Sequence, residues 1–97
     1  MPTYITLIKW TDQGVRELKE SPQRLAGAKK VIEAAGGKMI GFYLTMGRYD
    51  MVAVSESPSD EAATTAILSI ASRGSIRTET LRAFPEDQYR EIIAKVQ

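Results

Sequence analysis

The sequence contains no cysteine and no histidine. The first absence excludes disulfides, thiolate nucleophiles and cysteine-ligated metals. The second removes the commonest general base and the commonest metal ligand, so any catalysis would fall to carboxylates, Lys, Tyr, Arg or Ser. A charge bias is missing as well. Thirteen basic and twelve acidic residues leave a net +1, with both signs scattered along the chain, which gives no electrostatic footprint for nucleic acid. Met1-Pro2-Thr3 leads into a strand-like run without a basic region, a long apolar segment or a cleavage site. A cytoplasmic location without a membrane partner is therefore expected. Glycine-rich phosphate motifs, glycosidase-type acid pairs and metal-ligand spacings are also lacking, and neither a metal nor a cofactor is implied.

What is present suits a soluble globular chain, with 43% hydrophobic and 26% charged residues. Residues 1–97 are expected to form one domain, of a size at which burial between protomers adds appreciably to a moderate core. Thr3 to Trp10 is rich in β-branched and aromatic residues and predicts a first strand, with Tyr4, Thr6, Ile8 and Trp10 on one face and Ile5, Leu7 and Lys9 on the other. Thr11 offers an N-cap for a short helix to about Glu20. Ser21-Pro22 then reads as a hydroxyl cap followed by proline at the first helical position, opening a helix to about Ala35. Leu25, Ala28, Val31, Ile32 and Ala35 share its apolar face, and Gly36-Gly37 stops it.

The stretch from Gly41 to Glu56 organises the rest. It reads as a β-hairpin whose strands, Lys38 to Thr45 and Tyr49 to Ser55, flank a tight turn at Met46, Gly47 and Arg48. Gly47 supplies the positive φ that such a turn needs. Ser57 to Glu61 repeats the cap, proline and acidic-turn pattern before a helix that buries Ala63, Ala66, Ile67, Ile70 and Ala71. Its many alanines predict a close approach to the sheet. Ser75 to Ala83 is a strand whose Arg77, Glu79 and Arg82 suit a sheet edge. Pro85 opens a terminal helix with Tyr89, Ile92, Ile93 and Val96 at helical spacing.

The order βαββαβ plus a C-terminal helix is the ferredoxin-like α+β pattern: a four-stranded antiparallel sheet with helices on one face. RNA-recognition modules share this order and stack bases on sheet aromatics. Here Gly41 to Leu44 lacks the basic residue and the spaced second aromatic of that motif.

Gly47-Arg48-Tyr49-Asp50 carries a more specific signal. Together with Thr3 to Thr11, Ser21 to Arg24, Gly41 to Asp50 and Arg77 to Phe84, it resembles the GYD family, named for its glycine, tyrosine and aspartate. The resemblance spans essentially the whole chain. It implies a ferredoxin-like fold of the dimeric α/β barrel type and marks Gly47, Tyr49 and Asp50 as motif positions. It brings no established activity with it.

Six residues are candidates for ligand binding: Lys9, Trp10, Tyr43, Arg48, Tyr49 and Asp50. Asp50 can serve as a base or polar anchor, or simply cap the turn or pair with an arginine. Tyr49 can donate to a ligand carbonyl or act as an amphipathic interface residue. Trp10 can wall a pocket with Lys9 neutralising an anion, or fill a protomer contact while Lys9 reaches solvent. No catalytic residue can be assigned. Two functional readings follow. In one, a homo-oligomer binds a small molecule, with or without cofactor-independent catalysis, in a pocket between the open sheet face and a partner protomer. In the other, the chain is a structural or regulatory interaction module without such a pocket. Both predict self-association, because two apolar sheet faces exceed what two amphipathic helices can cover.

Overall fold

A computed structural model describes residues Met1–Gln97. Its elements run β1 (Thr3–Trp10), α1 (Asp12–Arg16), a 3-10 turn (Leu18–Glu20), α2 (Ser21–Ala34), β2 (Lys38–Leu44), β3 (Met51–Glu56), α3 (Asp60–Ala71), β4 (Ile76–Ala83) and α4 (Glu86–Ala94). The strands form one antiparallel sheet in the order β2-β3-β1-β4, the ferredoxin-like arrangement expected from the element order. The charged strand β4 lies at an edge.

The helix caps refine the expected boundaries. Thr11 accepts from the Gly14 N–H and caps α1 as expected. The N-cap of α2 is Glu20, without a side-chain hydrogen bond, and Ser21 is already helical. The preceding 3-10 turn delivers the chain in helical geometry, so α2 starts without a hydroxyl cap. At its other end Gly36 adopts φ 85°, the Gly37 N–H reaches the Ile32 carbonyl at 2.9 Å, and the Gly36 N–H reaches Glu33 at 3.0 Å. These two bonds satisfy carbonyls that the helix end would otherwise leave free. In α3 the cap is Ser59, which accepts from Ala62 at 3.1 Å, so Pro58 stands outside the helix.

Register decides which side chains face the helices. In β1, Tyr4, Thr6 and Ile8 are buried toward α2 and α3, while Ile5 and Leu7 are half-buried on the open side. Phe42 pairs with Ala53 on the helix side, and Tyr43 pairs with Val52 on the open side. The β2-β3 register shifts between Met39 and Gly41, which leaves Ile40 as a bulged residue and returns Met39 to the helix side opposite Ser55. Ile8, Met51 and Ala53 form the buried centre, with Trp10, Met39, Phe42 and Ile76 packed around it.

Two features depart from the expected packing. The alanines of α3 do not close the layer onto the sheet, and a cavity of about 90 Å³ remains between them. The C-terminal helix α4 has no buried residue; its Tyr89, Ile92 and Ile93 are exposed, as is Val96 just beyond its end.

The hairpin turn is a six-residue loop, Thr45–Asp50, with Gly47 at φ 107° and no heavy atom within 4 Å of where a Cβ would stand. A side chain there meets backbone strain alone. Gly47→Val is accordingly expected to lower the urea midpoint by about 1–3 kcal/mol in stability, with Gly47→Asn losing less because asparagine tolerates positive φ. An unchanged Gly47→Val midpoint would show that the turn does not depend on that conformation.

Candidate functional site

The loop after β2 carries three of the six candidate residues, Arg48, Tyr49 and Asp50, to one end of the sheet, and hydrogen bonds to its backbone fix its shape. The Thr45 N–H donates to the Asp50 carbonyl at 2.8 Å, and the Thr45 hydroxyl donates to the Tyr49 carbonyl at 2.6 Å, closing the hairpin. The Asp50 N–H donates to the Ile8 carbonyl at 2.9 Å, the last rung that main chain alone supplies between this segment and β1. Beyond it the chain departs into the loop. The Trp10 N–H donates instead to the Asp50 carboxylate at 2.9 Å, so a side-chain oxygen stands where a strand carbonyl would be.

Tyr49 lies over the open face. The Lys9 ammonium is 5.5 Å from its ring centroid, within cation–π range, and its hydroxyl donates to Glu79 of β4 at 2.9 Å. In reaching from the β3 side to β4, the ring crosses β1. The hydrogen bond to Glu79, then desolvation, raise the Tyr49 hydroxyl above the ordinary phenol range, with Arg48 opposing. Arg48 itself is exposed in the loop. Tyr43 stands exposed one strand further along the same face.

Trp10 does not join them. It is the last residue of β1 and lines the cavity on the helix side of the sheet, together with Ile8, Phe42 and Ile76. Alternation along a strand puts Lys9 and Trp10 on opposite faces. One pocket therefore cannot hold both the Trp10 ring and the Lys9 and Tyr49 pair, and the grouping expected from sequence is corrected on that point. The Trp10 indole N–H is buried and has no hydrogen-bond acceptor.

A further cluster was not singled out from sequence. The Tyr4 hydroxyl donates to Asp60 at the start of α3, and the Arg82 guanidinium lies 4.0 Å from that carboxylate and 5.7 Å from the Tyr4 ring centroid. A groove of about 330 Å³ runs beside it, lined by Thr64, Thr80 and Leu68 among others. Burial first, and Asp60 second, push the Tyr4 hydroxyl above its ordinary range. The three residues are far apart in sequence and belong to different elements, so no local motif announces them.

These features define a ferredoxin-like α+β protein with one helix-covered sheet face and one open face, fastened at its end by a glycine, tyrosine and aspartate loop. A family model for the GYD domain matches residues 4–93, and the chain belongs to that family. It is 37% identical over 86 residues to a Thermus thermophilus protein named glutamine synthetase and cystathionine beta-lyase binding protein, covering 88% of this chain and 90% of that one. A crystal structure of a Thermus thermophilus protein matches with a TM-score of 0.56 and 26% identity, covering 87% of this chain and 94% of the other. A further solved structure, described as a candidate transcriptional repressor of the glycine cleavage system, shares the fold with a TM-score of 0.55 at 18% identity. The overlap covers 89% of this chain and 47% of that one.

Two predictions test the roles of these hydrogen bonds. Asp50→Ala leaves the Trp10 N–H without its acceptor and is expected to cost about 1–3 kcal/mol. Asp50→Asn keeps an acceptor oxygen and should cost less; faster amide exchange at Trp10 in the alanine variant alone would locate the effect. The Tyr4 shift predicts a pH dependence. The folded state holds this proton more tightly than the unfolded chain does. Its stabilising effect is therefore complete below the ordinary phenol value of 10.0 and is lost as pH rises through the higher folded value. Urea midpoints of the native protein should fall more steeply above about pH 10 than those of Tyr4→Phe. Parallel slopes would remove Tyr4 as the cause.

Proposed function

We propose that this protein is a homo-oligomeric, non-catalytic interaction module that docks onto metabolic enzymes. The observation that carries the reading is the uncovered sheet face. Ile5, Leu7, Val52 and Val54 form its apolar centre, Tyr43 and Leu81 are exposed beside them, and Lys9, Arg77 and Glu79 stand at its charged end. No helix of the chain covers it.

A second copy of the chain is the first occupant of that face. Only 13 of 97 residues are buried, which is little for a domain that must offset its chain entropy alone. The helix α4 points the same way. Nine residues are fewer than the roughly 12–15 at which an isolated helix becomes even marginal in water, so its exposed apolar stripe calls for a partner surface. A two-fold axis lets identical apolar patches cover each other. The alternating Lys9, Arg77 and Glu79 charges favour such self-pairing over a uniformly charged partner.

The relative named for binding glutamine synthetase and cystathionine beta-lyase supports extending the reading from self-association to enzyme binding. In this reading Lys9, Tyr43, Arg48 and Tyr49 form the rim through which the oligomer meets other proteins, while Gly47 and Asp50 hold that rim in shape. Tyrosine and arginine are enriched at protein interfaces relative to the rest of the surface, and both combine apolar area with a polar tip.

Light scattering on a size-exclusion column should give at least a dimer at micromolar concentration, whereas the double variant Leu7→Glu with Val52→Glu should elute as a folded monomer. In surface binding assays, the native protein is expected to capture purified glutamine synthetase from the same organism, and Tyr43→Ala with Arg48→Ala to capture it several-fold less. A native protein running as a 10.7 kDa monomer would sink the self-association reading. Failure to bind either named enzyme would sink the extension to those enzymes.

A further inference from the structure

The groove between α3 and the edge strand β4 opens beside an ion pair that does not close. The Arg82 Nε stands 4.0 Å from Asp60 Oδ1, beyond hydrogen-bond distance. Each partner is nonetheless held in place. The Tyr4 hydroxyl fixes Asp60 Oδ1. The Arg82 guanidinium packs 5.7 Å from the Tyr4 ring centroid and 4.7 Å from that of Phe84, and its Nη1 donates to the Ala83 carbonyl at 2.6 Å. Asp60 Oδ2 and Arg82 Nη2 have no partner in the chain. One anionic acceptor and one cationic donor thus line the same groove side by side, positioned in advance and still able to bind.

We infer that this groove binds a free α-amino acid with a neutral, polar-tipped side chain, its ammonium on Asp60 and its carboxylate on Arg82. The two charges of an amino acid are neighbours on one carbon, as the two of the protein are neighbours across the groove. Alternating signs at four corners make every adjacent contact attractive. A simple cation would leave Arg82 unserved and a simple anion would leave Asp60 so. No other charged residue lines the groove, so the side chain of the ligand is neutral. Helix α3 and strand β4 are joined by residues 72–75 and run in opposite directions. Thr64, one turn beyond Asp60, therefore lies level with Thr80, two residues before Arg82, each about 6–7 Å from the charged end. Their hydroxyls await a polar tip at the reach of a side chain about four bonds long. Its stem passes Ala63 and Ile67, and Leu68, a further turn along α3, offers only hydrocarbon. A volume of about 330 Å³ lies at the small end of ligand pockets and suits one amino acid rather than a peptide.

The groove is on the helix side of the sheet, across from the face proposed for self-association, so the two readings fail separately. L-glutamine is the probe, with two analogues that each lack one charge: glutaramic acid, without the ammonium, and 4-aminobutanamide, without the carboxylate. At constant ionic strength, L-glutamine is expected to shift the backbone amides of Asp60, Thr64 and Thr80 and the Arg82 Nε–H saturably in nitrogen-15 correlation spectra of the native protein. Each analogue should bind roughly tenfold more weakly, the weight of a lost charge-assisted hydrogen bond. L-norvaline, which lacks the amide, should bind several-fold more weakly than L-glutamine, and Thr64→Val should reduce that preference. Arg82→Gln should abolish saturation. No saturable shift up to the solubility limit of L-glutamine would overturn the inference. So would either singly charged analogue binding as tightly as L-glutamine, or shifts confined to the open face of the sheet. The native titrations decide the matter even if Arg82→Gln does not fold.

Discussion

The hydrogen bond from the Trp10 N–H to the Asp50 carboxylate, 2.9 Å long, is the contact on which this end of the sheet depends. β1 is central, with β3 on one side and β4 on the other, and it extends two residues beyond its last paired residue opposite β3, Ile8. The chain leaves the β3 line at Asp50 to enter the loop, and from there main chain no longer matches β1. A carboxylate two bonds off the backbone reaches the N–H that a receding carbonyl cannot. Alanine would leave that donor unpaired, and a longer acid would have to fold back on itself. The motif's aspartate is thus explained by geometry, whatever else it does. Its glycine permits φ 107°, and its tyrosine ties the loop across β1 to Glu79.

That fastening leaves the sheet with two unlike faces. On one, α2 and α3 cover Tyr4, Thr6, Ile8, Met51 and Ala53, yet small residues on α3 keep the layer from filling the space beneath it. On the other, apolar residues of β1 and β3 stand without any helix above them. Antiparallel sheets commonly leave one face to water, but then that face is polar. Here its centre is Ile5, Leu7, Val52 and Val54, in register across two strands. The apolar register is what distinguishes an interface from a solvated face.

Much of the fold was legible because strand and helix signals agreed with their neighbours. The β-branched run at Thr3 to Trp10, the double glycine after α2 and the Ser-Pro and Gly punctuation each marked an element that is present. Two things were hidden. The facing of β2 depends on a bulge at Ile40, and a one-residue insertion in the ladder reverses every side chain beyond it without leaving a periodic trace. The role of Ser21 was misread because local chemistry cannot show that a 3-10 turn has already set helical geometry ahead of it. At the site, the loop residues were legible as a cluster because they are adjacent in sequence. Tyr4, Asp60 and Arg82 were not, since only the tertiary fold brings them together.

Trp10 and Tyr49 show why adjacency in sequence misleads about a shared pocket. Lys9 and Trp10 are neighbours, and Tyr49 and Asp50 are neighbours, which makes a single four-residue site the natural reading. Strand alternation divides the first pair between the two faces. The Asp50 carboxylate then binds the backbone of Trp10, while Tyr49 stacks with the side chain of Lys9. The loop therefore meets β1 in two ways, through the Trp10 main chain at the sheet's end and through the Lys9 side chain on the open face. A disturbance at Asp50 acts on the rung that positions the indole above the cavity, whereas a disturbance at Tyr49 acts on the open face. One half of the motif completes the strand ladder and the other covers the open face, so substitutions in them should be interpreted separately.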